Sequence, residues 1–384
     1  MDFTFVKKVM DDITAWNIPG CDIAIMKDNK LVFRYRAGYS DIENKIPVKG
    51  DELYYLFSAT KPITAAAAAK LIEEGKLSLD DEAGKYISSF NGIKVNVKNG
   101  DGSFSKKDVK RPVLVSDLLS MTAGMDYDLS SPELHGVMKS TEGRCPTVEI
   151  AEALGRRGLF FHPGEKFAYS LCLDVIGAII EVASGEKFGD YLRTRFFEPL
   201  GMKNTTFNVT PELREKMPPL YIFDNEKKAP VIKANGNVFI FGSEYESGGA
   251  GLVSTVDDYI KFAAMLTNLG VSIEGKRIMS EESVNLMRQN RLSDSQMNDF
   301  WSGWKYLRGF GYGLGVRTAL VPELVNGYFS EGEFGWCGAA GAMTISAPAD
   351  GITVYYAQHM QNSFEWIVHP KLREAVYRSF GLLK

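Results

Sequence analysis

The chain reads as an α+β protein, with one sheet assembled from both ends of the sequence, helices flanking it, and a mainly helical region inserted between. Three observations predict this: apolar strand patterns sit near the N-terminus, helical periodicities fill the middle, and strand patterns return beyond residue 231. A length of 384 residues with 45% hydrophobic side chains suffices for a sizeable core, and no repeat or low-complexity linker divides it. The expected division is 1–80 with 231–384 for the sheet-containing part and 81–230 for the helical insertion.

The first element is helical, because Phe3, Val6, Val9, Met10 and Ile13 share one face with charges between them. Runs over 21–26 and 31–37, separated by Lys-Asp-Asn-Lys, spell a hairpin. A helix is expected over 59–74, ended by Gly75; its five consecutive alanines imply close neighbours on several sides. Residues 91–111 are rich in Lys, Asp and Gly and read as an exposed excursion. Helical patterns follow at 115–121, 148–154 and 173–182, the last ended by Gly185. Gly248 to Gly251 form a loop, and 255–269 is a helix. Gly309, Gly311, Gly313 and Gly315 alternate, which in a strand puts every glycine on one face; no helix follows them as a nucleotide-binding loop requires. Strands over 324–329, 341–347 and 352–358 and a closing helix over 370–380 complete the chain.

A formal net charge of −4 without long runs of like charge argues against nucleic acid as a partner. No signal peptide and no run of some eighteen apolar residues is visible, so the expectation is a cytoplasmic protein with no membrane partner. Cys21, Cys145, Cys172 and Cys337 lack paired spacing and read as free buried thiols. His135, His162, His359 and His369 lack metal-ligand spacing and read as structural, so neither a metal nor another cofactor is expected. No feature sets the oligomeric state.

A serine hydroxyl is a weak nucleophile and needs a base within hydrogen-bond reach. Serine with lysine three residues later supplies one on the same helix face. The pattern occurs at Ser58/Lys61, Ser103/Lys106, Ser184/Lys187 and Ser302/Lys305, and context selects the first. Only Ser58 opens a strong helix after an apolar run, where free backbone N–H groups favour developing negative charge. Lysine acts as a base only when neutral, so burial must bring it from about 10.4 to near 7.5, on the order of 4 kcal/mol against the cation. Without further motifs, an ordinary helix cap and a surface cation remain the alternative.

Further motifs exist: Phe57-Ser-Ala-Thr-Lys61; Val115-Ser-Asp-Leu-Leu-Ser-Met-Thr-Ala-Gly124; Phe161-His-Pro-Gly-Glu165 followed by Tyr169-Ser-Leu171; Pro199-Leu-Gly-Met202; Gly248-Gly-Ala-Gly-Leu-Val-Ser-Thr255; and Gly335-Trp-Cys-Gly338. In this order they resemble the superfamily of serine β-lactamases, penicillin-binding proteins and family VIII carboxylesterases. The resemblance implies a mainly antiparallel sheet with helices on both faces and a helical domain beside it. It implies Ser58 as the acylated nucleophile, Lys61 as its base and Tyr169 as the proton relay to the leaving group. It further implies that Gly338 lets a strand edge approach the substrate, and that the N–H groups of Ser58 and Ala339 form an oxyanion hole.

Two departures from that pattern bear on substrate. Leu171 stands where β-lactamases and peptidases usually carry Asn, and Trp336 where they carry Lys or Arg. A cation there would bind a carboxylate, so the changes resemble the family VIII carboxylesterases and favour a neutral ester. Hydrolysis through a Ser58 acyl-enzyme, with acyl transfer as a close relative, is therefore the leading expectation. β-Lactamase or D-alanyl-D-alanine peptidase activity is the second, and a non-catalytic binding relative the third. The expected partner is a small ester or acyl compound. Trp336, Gly338, Leu171 and Tyr127 are expected at the substrate pocket, and the aromatic segment 297–310, with Phe300, Trp301, Trp304, Tyr306 and Phe310, as a wall of an apolar acyl pocket.

Overall fold

The computed structural model describes residues 1–321, 324 and 329–383. Its main sheet has eight antiparallel strands: Gly20–Lys27 (β1), Lys30–Asp41 (β2), Ile46–Pro47 (β3), Phe310–Tyr312 (β4), Arg317–Ala319 (β5), Phe334–Gly335 (β6), Met343–Ala347 (β7) and Ile352–Gln358 (β8). Their order across the sheet is β4-β5-β6-β7-β8-β1-β2-β3, so the first and last parts of the chain meet where β1 pairs with β8, Cys21 opposite Gln358. Both of these central strands are buried along nearly their whole length, which is why their sequences are apolar without strict alternation.

Alternate residues of β1 feed two separate cores. Ile23 and Ile25 pack with Val6, Met10 and Ile13 of Thr4–Trp16 (α1), while Ala24 and Met26 belong to the larger cluster on the other face. The β1–β2 turn uses Asp28 at φ 48° and Asn29 at φ 61°, the left-handed pair a two-residue hairpin needs. The alanine helix is Lys61–Glu73 (α2), preceded by a tight 3₁₀ turn over Phe57–Thr60, so Ser58 lies one turn ahead of the α-helix rather than inside it. Ala65 through Ala69 are fully buried. Gly315, at φ +67°, has room for no side chain because a Cβ would lie 2.9 Å from that of Ala65. Cys172–Ser184 (α3) runs into Gly185 at φ 74°, and Val256–Thr267 (α4) is capped by Thr255. Among the described residues, no helix is long and apolar enough to cross a membrane.

Several expectations need correction. The excursion over 91–111 contains a hairpin, Lys94–Lys98 with Phe104–Asp108; its lysines and aspartates are mostly exposed, while Val95 is buried and bridges to Leu159. The alternating glycines do not share one strand: β4 ends at Tyr312, and Gly313 lies beyond it, where a Cβ would strike the Met287 carbonyl at 2.1 Å. The closing helix, Glu365–Ser379 (α5), starts five residues before Pro370, which sits inside it. Most of the strand expected over 324–329 lies outside the described residues.

Near the sheet's end Glu333 is fully buried between Arg317 at 2.8 Å and Arg373 at 3.2 Å and accepts from the Tyr377 hydroxyl at 2.7 Å. Removing one member of such a cluster strands the others without water. Glu333→Ala should therefore lower unfolding free energy by about 3–5 kcal/mol, read as an earlier denaturant midpoint. A loss under about 1 kcal/mol would contradict this account of the cluster.

Candidate active site

Phe57 is buried and holds φ at 46°, a conformation costing on the order of 1–3 kcal/mol for a residue with a Cβ. Its ring is packed by Tyr55 and Phe239, with centroids at 5.8 and 6.2 Å. The bend it makes turns the chain from the strand Tyr54–Tyr55 into the 3₁₀ turn carrying Ser58. Ser58 is half-buried, and its backbone N–H finds no acceptor among the described residues.

Lys61 is fully buried, and its Nζ lies 3.1 Å from Ser58 Oγ, 2.8 Å from the Tyr127 hydroxyl and 2.8 Å from the Gly249 carbonyl. It also sits 4.6 Å from the centre of the Tyr169 ring. Burial pulls its pKa from 10.5 down to about 8, against the smaller opposing pull of Asp174. The arrangement also fits a neutral amine: the Gly249 carbonyl can only accept, the Tyr127 hydroxyl can accept a second N–H, and the lone pair is then left facing the serine hydroxyl.

Gly249 is held in place by its loop. Thr64 donates to the Gly248 carbonyl at 2.7 Å, and Leu252 N–H reaches Thr60 Oγ1 at 3.3 Å, so the loop is strapped along α2. On its other side, buried Asp174 accepts from Tyr245 at 2.6 Å, Ser247 at 2.5 Å and Gly249 N–H at 3.4 Å. A Cβ on Gly249 would meet Asp174 Oδ2 at 2.4 Å, which accounts for glycine there. The sequence gives this segment only as a loop and does not single out Asp174; an acid in the first turn of a strongly apolar helix is the signal available for it.

Tyr169 has its pKa raised well above the usual 10 by burial, so it rests as a phenol. Trp336, 1% exposed, donates its indole N–H to the Tyr169 oxygen at 2.8 Å. Trp304 packs edge-on against both, 5.0 Å from the Tyr169 ring and 5.8 Å from the Trp336 ring. Gly338 lies where a Cβ would meet the Leu56 carbonyl at 2.3 Å, so its missing side chain lets the turn from Gly338 to Gly341 lie against the segment leading to Ser58. Ala339 is exposed in that turn, and its N–H has no acceptor among the described residues.

A cleft of about 390 Å³ opens here, with Ser58, Tyr169, Trp336, Gly338 and Ala339 among its lining residues. Two residues expected at the pocket lie elsewhere. Leu171 is a core side chain, 1% exposed, just ahead of α3. Tyr127 is not on the cleft wall but beside the Lys61 amine, 2.8 Å from its Nζ. Of the aromatic segment 297–310, only Trp304 lines the cleft; Phe300 and Phe310 are core, and Trp301 donates to the Phe310 carbonyl at 2.7 Å. The other three Ser-x-x-Lys pairs lie on other elements, Ser103 in the hairpin turn, Ser184 at the end of α3 and Ser302 on an exposed stretch of the helix Asp294–Gly303. All four cysteines are free; Cys337 alone is partly exposed and lines the cleft. His359 and His369 are buried, with pKa values pushed down by that burial to about 4 and about 3.

Known proteins resemble this chain along almost its full length. Protein Rv1367c of Mycobacterium tuberculosis is 31% identical over 361 residues, covering 92% of this chain and 88% of its own. Esterase EstB of Burkholderia gladioli is 26% identical, covering 93% and 90%. Among solved structures, EstCE1, a hydrolase with promiscuous acyltransferase activity, aligns with a TM-score of 0.78 at 25% identity over 97% of both chains. Simvastatin synthase (LovD) from Aspergillus terreus shares the fold, with a TM-score of 0.81 at 20% identity over 99% of both chains. The Beta-lactamase family matches residues 6–377, nearly the whole sequence, and the chain belongs to that family.

Proposed function

We propose that the chain hydrolyses carboxylic esters through an acyl-enzyme on Ser58 and can pass the acyl group to an alcohol in place of water. The observation that carries this reading is the buried Lys61 amine, 3.1 Å from Ser58 Oγ with its pKa lowered to about 8. In the neutral form Lys61 takes the Ser58 proton as Oγ attacks the ester carbonyl carbon. The negative charge developing on the carbonyl oxygen is met by the N–H groups of Ser58 and Ala339. As the carbon–oxygen bond to the alcohol breaks, Tyr169 gives its proton to the leaving oxygen and is reprotonated from the Lys61 ammonium. The Trp336 N–H, already on the Tyr169 oxygen, stabilises the transient phenolate. Water then attacks the acyl-enzyme by the reverse proton path. The likeness to Esterase EstB supports an ester as substrate, and that to EstCE1, a hydrolase with promiscuous acyltransferase activity, supports acyl transfer. A β-lactam or peptide carboxylate would meet the uncharged Trp336 in place of a cation, so those substrates rank second.

Intact-mass measurement during turnover of a slow p-nitrophenyl ester should reveal one acyl adduct, lost in Ser58→Ala. Tyr169→Phe should lower kcat by about 10²–10⁴-fold, whereas Trp336→Phe, which deletes a single hydrogen bond, should cost only about tenfold. Faster turnover of a chromogenic cephalosporin than of the ester would reverse the order of substrates.

The pH dependence has a fixed sign. Because burial depresses the Lys61 pKa to about 8, the ammonium predominates below that pH and the reactive amine above it. kcat/KM should rise about tenfold per pH unit up to a plateau above about 8. A flat or falling profile between about pH 6 and 9 would contradict Lys61 as the base.

A further inference from the structure

Several carboxylates buried elsewhere in this protein have cations beside them. Glu333 has Arg317 and Arg373, Asp22 has Arg34 at 2.7 Å, and Asp117 has Arg111. Glu365 differs. It lines the cleft that holds Ser58, is only partly exposed, and among the described residues has no ion-pair partner. It is also the one charged side chain among the lining residues described. Its carboxyl pKa lies above the ordinary glutamate value because of burial, which the neighbouring Tyr306 and Ser363 hydroxyls offset only in part.

The rest of the wall is of matching character. Trp304, Trp336 and Trp366 all line the same cleft, and Trp366, next to Glu365 in the chain, is 54% exposed, a large apolar ring left open to solvent. Aromatic faces attract alkylammonium groups through the ring quadrupole, and indole is the strongest of them. A lone carboxylate in a cleft also lined by indoles suits a cation whose charge is spread over methyl groups and which is easily desolvated.

We propose that the cleft takes esters bearing an alkylammonium group, with Glu365 as the counter-charge and the Trp366 and Trp304 rings as walls. This inference rests on the esterase reading above and names its substrate class. Binding such a cation would draw the Glu365 carboxyl pKa back down toward the ordinary glutamate range. A substrate carboxylate, by contrast, would meet an acid where its binding calls for a cation.

The experiment compares two matched pairs of esters. One pair carries trimethylammonium or its uncharged tert-butyl isostere at the end of the acyl chain; the other carries the same groups on the alcohol. In at least one pair kcat/KM should favour the cation by about tenfold or more, and Glu365→Gln should remove most of that ratio. No preference in either pair, or a ratio unchanged in Glu365→Gln, overturns the inference while leaving the esterase reading intact. If no ester of any kind is turned over, the esterase reading itself has failed. Calorimetry with benzyltrimethylammonium on Ser58→Ala protein, with and without Glu365→Gln, then decides the cation site: binding that depends on Glu365 supports it, and absent or Glu365-independent binding overturns it.

Discussion

The site depends on the exclusion of water from one amine. A lysine at the surface keeps its proton up to pH values where few enzymes operate, and no neighbouring hydroxyl changes that by itself. Here the ammonium is enclosed by α2, the Gly248–Gly251 loop and two tyrosines, and desolvation outweighs the attraction of Asp174. The three groups around Nζ are what keep this burial tolerable: each can accept a hydrogen bond, so the charged form is weakened without being left unsatisfied. A drier pocket with fewer acceptors would lower the lysine pKa further and make the amine a weaker base; a wetter one would leave it protonated at neutral pH.

The same constraint explains the small residues around the helix. The alanines 65–69 let neighbouring elements close over α2, and Gly248 and Gly249 let their loop approach it closely enough for carbonyls to reach Thr64 and Lys61. Asp174 then fixes the far side of that loop, so a residue outside the cleft lining sets where the Gly249 carbonyl stands. Gly338 performs the equivalent service at the cleft, bringing the Ala339 turn against Leu56.

Much of this is legible in the sequence wherever a local signal exists. The hairpin turn announces itself through Asp28-Asn29, the central strands through continuous apolar runs, and α3 through its period and terminal glycine. Ser58 stands out because only one of four similar spacings opens a strong helix. What stays hidden depends on tertiary pairing. Tyr127 reaches Lys61 from 66 positions away, Trp336 reaches Tyr169 across 167, and nothing in either local pattern announces the partner. The hairpin at 94–108 is only half marked: Ile93, Val95 and Val97 alternate with polar residues into its first strand, but the run is short and the exposed partner Phe104–Asp108 carries no such pattern. Pro370 misleads in a third way, since its fixed φ suits a helix start and only the packing of α5 on α1 shows that the helix begins earlier.

Trp336 ties these threads together. Its uncharged indole lines the cleft and at the same time presents an N–H to the Tyr169 phenol, the proton donor of the proposed mechanism. Were it a lysine or arginine, its charge would stabilise the Tyr169 phenolate strongly. The same charge would push the Lys61 pKa lower, keeping that amine neutral but making it a weaker acceptor of the Ser58 proton. An indole donates one hydrogen bond without charge, so the phenol remains protonated at rest and is eased, not driven, toward phenolate. In the proposed mechanism, substrate preference and proton handling therefore meet at one side chain, so a substitution there acts on both.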